Sequence, residues 1–232
     1  MQRRIGIGVA LALWTFALPA RASEADTLLA RIKQVGREGA GNVEASQAWR
    51  QLVRLGPSVL IDVLAGMGDA DATAANWIRT AADAIAEREL NAGRTLPARE
   101  LEAFVLDTKR NGRARRQAFD WLARVDKTAP DRLIPGMIDD PSVELRRDAV
   151  ARAIKKAEPL LTKTDKAEAK ETFGRLFTAA RDKDQIDGLA KTLKDLGVAV
   201  DLAGHFGFVR DWMLVAPFDS TAGVGYTRSY EP

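Results

Sequence analysis

The 232 residues predict an all-α fold: stacked antiparallel helices forming an irregular solenoid, followed by a short, incomplete β segment. Two observations carry this expectation. Between about residues 24 and 196, apolar side chains recur at the three- and four-residue spacing of amphipathic helices, with short breaks and no alternating stretch. From Gly204 onward the composition changes to aromatic, β-branched and proline-punctuated, as in strands.

The helices follow in order. Ala48, Trp49, Leu52, Val53 and Leu55 line one face, and Gly56-Pro57 ends that helix and starts the next. Val59, Leu60, Val63 and Leu64 continue the stripe. A longer helix carries Trp77, Ile78, Ala81, Ala82 and Ile85, and Leu96-Pro97 opens another through Leu101, Phe104 and Val105. Over residues 112–156, a helix with Ala114, Ala118, Trp121, Leu122 and Val125 is followed by a short one opened by Pro130. The turn Asp139-Asp140-Pro141-Ser142 supplies N-cap oxygens to a helix with Leu145, Ala149, Val150 and Ile154. Asp165 with Glu168 has the spacing of a capping box. A last helix, about 184–196, ends at Gly197. The run from His205 to Phe218 then reads as the opening strand of a sheet, and a lone strand is marginal in water.

Residues 1–22 read as an export signal. Arg3 and Arg4 precede an apolar core too short to cross a bilayer comfortably, and Ala20-Arg21-Ala22 has the small-x-small cleavage pattern. The expected domains are therefore the signal (1–22), a helical domain (23–204) and a linker with a first strand (205–232). The formal charge of +3 comes from 35 basic and 32 acidic residues. Arg3, Arg4 and Arg21 account for the excess, so the exported chain is formally neutral, with no global reason to bind nucleic acid. After cleavage no membrane span is expected. The chain has no cysteine and one histidine, His205. This excludes a disulfide framework, a thiolate metal site and a multi-histidine centre, and no cofactor is expected. A hydrolase built on carboxylates would need two acids converging in a cleft.

The pattern Asp140, Leu145, Arg146, Ala149 resembles the second half of a HEAT repeat, and the block from Ala48-Trp49 through Gly56-Pro57 to Leu64 resembles another. These blocks do not overlay residue by residue, so two or three degenerate units are expected. With Ala75-Asn76-Trp77-Ile78-Arg79 and the stretch from His205 to Trp212 leading into Pro217-Phe218, the chain resembles exported bacterial HEAT-repeat proteins. The resemblance implies that Asp140 and Arg146 form a structural ladder between neighbouring repeats. It also implies a C-terminal jelly-roll module resembling carbohydrate-binding domains, which opens on Gly-Pro-Phe; here Ala216 stands at the glycine. Since the sequence stops at Pro232, it reads as cut off where that module begins. The resemblance brings no catalytic residues.

Trp49, Trp77 and Trp121 lie on apolar faces and are expected as core anchors. Arg110, Arg113 and Arg116, in the densest basic run, would share a face if their helix began before Gly112, and could meet a partner; the alternative is a solvated face paired with Asp107 and Asp120. His205, without a nucleophile motif, reads as a hydrogen-bonding junction residue. Gly223-Val224-Gly225 lacks the following helix of a phosphate loop. The expected function is a non-enzymatic exported scaffold that binds a protein partner. The alternative is a carbohydrate-handling protein whose helices space a glycan-binding module.

Overall fold

The computed structural model describes residues 23–213 and 222–223. The expected export signal and residues 214–218 of the expected strand lie outside the described residues. The chain divides into two compact units, one up to Arg132 and one from Leu133 onward.

The first unit begins with α1 (Glu24–Ile32), closed by a reciprocal box in which Ser23 and Asp26 each accept from the other's backbone N–H. Its stripe of Ala25, Leu28, Leu29 and Ile32 is buried. The chain then turns at Gly41, with φ of 75°. A Cβ there would lie 2.8 Å from the Gln34 carbonyl oxygen, so a side chain is excluded by close approach as well as by the left-handed backbone. Next come α2 (Asn42–Arg54), a 3-10 turn at Pro57–Val59, α3 (Leu60–Ala65) and α4 (Ala72–Asn91). Helix α2 packs on α1, and α4 touches α1, α2 and α3. Arg88 of α4 donates to the Val53 carbonyl at 2.7 Å, tying α4 to the end of α2. Helices α5 (Ala98–Leu106) and α6 (Gly112–Val125) form a pair, and α6 also meets α3. The short α7 (Ala129–Leu133) contains the division between the units.

The second unit comprises a 3-10 turn at Ile134–Met137, α8 (Val143–Ala157), a 3-10 turn at Glu158–Thr162, α9 (Ala167–Ala179), α10 (Lys183–Asp195) and α11 (Leu202–His205). Helix α9 packs against both α8 and α10. Val150, Phe173, Leu176, Ile186, Leu189 and Leu193 supply the centre of its core.

Two local expectations change. Asp165 accepts from the Ala167 N–H at 2.9 Å, but Glu168 binds Lys163 at 2.7 Å instead of returning to the backbone, and the helix begins at Ala167. The capping box therefore does not form. His205 ends a helical turn instead of entering a strand, because the Asp201 carboxylate accepts from the Gly204 N–H at 2.9 Å and starts α11. Residues 208–213 carry no regular structure, and there is no strand among the described residues.

Candidate functional site

The sequence-derived candidates fall at separate places. Asp140 is buried in the turn before α8, where its Oδ1 accepts from the Ser142 N–H at 2.8 Å. Arg146, one turn into α8, donates to the carbonyls of Asp140 at 2.7 Å and Asp139 at 3.2 Å. Arg146 thus ties this turn to its own helix, through main-chain oxygens.

The three tryptophans differ. Trp121 is 5% exposed, and its Nε1 donates to Asp83 at 3.0 Å. The Arg124 guanidinium lies 4.6 Å from the centre of its ring. Trp49 and Trp77 are half-buried, and Trp49 donates to the Thr80 hydroxyl at 3.1 Å. Trp77 flanks a small cluster of Val35, Ala45 and Ala74.

The basic run is dispersed by its cap. Asn111 Oδ1 accepts from the N–H groups of Arg113 at 3.0 Å and Ala114 at 3.2 Å, so α6 starts at Gly112 and Arg110 stands outside it. Arg110 pairs with Asp107 at 3.0 Å and lies over Phe104, while Arg116 pairs with Asp120 at 3.0 Å and lies over Phe119. Arg113 is exposed, whereas Arg115 from the same run is buried and donates to the Val105 carbonyl at 2.7 Å. His205 packs on Phe177, with ring centres 4.4 Å apart, and its Nε2 is 3.1 Å from the Ala180 carbonyl oxygen.

The buried polar groups that join helices were not among the sequence-derived candidates. Gln117 of α6 donates to the Arg79 carbonyl at 2.9 Å and to Asp83 Oδ1 at 2.8 Å. Gln185 of α10 donates to the Arg147 carbonyl at 2.8 Å. In both amides the Oε1 is buried and has no partner among the described residues. A signal was present: Gln117 falls in register with Ala114, Ala118 and Trp121, a polar residue on an apolar stripe. Elsewhere, Glu89 is buried and receives two hydrogen bonds from Arg94, at 2.6 and 3.0 Å. Those bonds from Arg94 hold its carboxyl below the ordinary glutamate value of 4.5, against the opposing effect of burial. Glu102 is held low by Arg132, which also bonds Asp126 at 2.9 Å. Asp184 is held low by Arg147, which reaches Asp182 at 2.8 Å and Asp184 at 2.7 Å.

Recesses among the described residues of the second unit include two beside its helices. The larger, about 1230 Å³, runs along α9 over Ile138, Ala153 and Leu176, with Lys156, Glu171 and Arg175 at its edge. The smaller, about 430 Å³, lies between α8 and α10 and is lined in part by Gln185. Among the described residues no three His, Cys, Asp or Glu side chains converge as a metal site would require, and no helix is long and apolar enough to cross a membrane. No protein-family description, curated protein or solved structure matches the chain.

Proposed function

We propose that the chain is an exported, non-enzymatic helical-repeat scaffold of HEAT-like solenoid type, whose helix faces bind a protein partner. The observation that carries this reading is the use made of its charged side chains. Arg146, Arg132, Arg147 and the Glu89–Arg94 pair are spent on turns and on neighbouring helices. What remains for recognition is surface, as in stacked-helix proteins that bind along a face. The face offered first is that of the exposed Arg113 with Arg116 one turn on, while Arg110 stands in the loop ahead of the helix; Arg110 and Arg116 keep Asp107 and Asp120 as their carboxylate partners. Arginine is enriched at interface centres, and the exposed Arg113 suits an acidic protein surface.

A second reading, a spacer for a C-terminal glycan-binding module, is supported by the exposed Phe208 and Trp212 at the end of the second unit. One experiment separates the two. Residues 23–232 and the triple variant Arg110→Glu, Arg113→Glu, Arg116→Glu are immobilised and challenged with proteins of the exported fraction and with insoluble polysaccharides. The scaffold reading expects a defined protein to be retained by the parent chain and lost from the triple variant while both remain folded, by helical dichroism, at the temperature of the assay. Retention on polysaccharide, equal in both proteins and without a protein partner, supports the spacer.

A further inference from the structure

The two glutamine bonds lie in one repeated frame. Each joins a glutamine to the carbonyl of an arginine 38 residues earlier. A constant offset of 68 positions, with no gap, carries Arg79 onto Arg147 and Gln117 onto Gln185. The same offset superposes α4 on α8, α5 on α9 and α6 on α10 along the chain. It also matches buried positions: Ala81 and Ala82 with Ala149 and Val150, Val105 with Phe173, and Ala118 and Leu122 with Ile186 and Ala190. Each unit therefore contains one copy of a three-helix module whose third helix is clasped to its first by a buried amide.

The copies differ at one place. In the first, Asp83 and Trp121 fill the space beside the clasp. The carboxylate accepts from both the Gln117 amide and the indole N–H, and Arg124 covers the ring. In the second copy the same positions are Ala151, Leu189 and Thr192, and the place of Asp120 is taken by Gly188. A cavity of about 430 Å³ opens there, within the range of small-ligand pockets, and all four of these residues line it with Gln185. Among the described residues the Gln185 amide keeps only the bond to Arg147, whereas Gln117 makes a second bond to a side chain.

We infer that this cavity is a binding site for an indole ring carrying an uncharged hydrogen-bond acceptor beside it, presented as a tryptophan residue of a partner protein. The first copy shows that an indole and an acceptor fit beside the clasp. The acceptor is uncharged because Asp148 and Asp184 line the cavity, and Arg147 is already engaged by Asp182 and Asp184. A backbone carbonyl meets that need and takes the remaining Gln185 proton. The inference rests on the scaffold reading only for the source of the indole.

The test is titration of the full chain with N-acetyl-5-fluorotryptophanamide, followed by fluorine NMR, against an N-acetyl-leucinamide competitor. Binding in the millimolar range or tighter is expected, with no displacement by the leucine amide. Gly188→Met blocks the cavity and should weaken binding at least about tenfold. A Cβ at Gly188 meets no atom within 4 Å, and methionine is the better helix former, so this variant keeps its fold. The pair Ala151→Asp with Leu189→Trp rebuilds the filling of the first copy and should abolish binding. Absence of binding by the parent chain, or equal binding by Gly188→Met, overturns the inference. Either result leaves the capture of a partner by the Arg113 face standing, so the two readings fail separately.

Discussion

At the scale of single residues, one side chain can serve packing and hydrogen bonding at once. Trp121 is both a filler of apolar volume and the donor that meets Asp83 at 3.0 Å. Trp121→Ala is expected to cost about 3–5 kcal/mol through the cavity it leaves. Trp121→Phe keeps most of the ring and loses chiefly the indole bond, for about 1 kcal/mol. Urea unfolding followed by circular dichroism reads both, and equal losses from the two variants would remove the packing role. The burial of Trp121 was legible from its stripe with Ala118 and Leu122. Its bond to Asp83 was not, because nothing in a helical stripe says which polar residue of another helix will stand opposite. Trp49 and Trp77 occupy similar stripes and end half-buried, since periodicity gives the direction a side chain faces and not how much protein lies there.

At the scale of elements, starts and stops decide which residues share a face. Asn111 takes two N–H groups of the first turn of α6, which leaves Arg110 outside the helix. Asn111→Ala should cost about 1 kcal/mol, read as a lowered denaturation midpoint, and Asn111→Asp should retain most of it. Most breaks between helices were legible because glycine and proline mark them; Gly197, with φ of 76°, follows α10 as its sequence position suggested. The capping box at Asp165 and the strand at His205 were not. Each depended on competition between hydrogen-bond partners: Glu168 finds Lys163, and the Asp201 carboxylate takes the Gly204 N–H and starts a helical turn. The three-helix module was not legible in the sequence for a related reason. Its copies agree in register and burial but in few residue types, so only the paired amide bonds make the frame visible.

At the scale of the whole molecule, several carboxylates act together. Glu89, Glu102, Asp126 and Asp184 are each held below their ordinary values, by Arg94, Arg132, the Thr128 hydroxyl and Arg147 first in turn. A lowered folded-state pKa means that the stabilisation is complete above the ordinary carboxylate range and is lost as pH falls through the lower, folded values. The unfolding midpoint should therefore stay level from neutrality down to the ordinary carboxylate range and decline below it. Glu89→Gln should start from a lower plateau and decline less steeply; a decline as steep as the parent's would remove Glu89 from the acid response. The division at Arg132 also has an optical consequence. Trp49, Trp77 and Trp121 all belong to the first unit, whereas Trp212 of the second is 78% exposed and Trp14 lies outside the described residues. Tryptophan emission is thus weighted to the first unit, while far-ultraviolet dichroism sees helices in both. If the units melt at different points, the two signals will part, and their separation will tell which half of the chain gives way first.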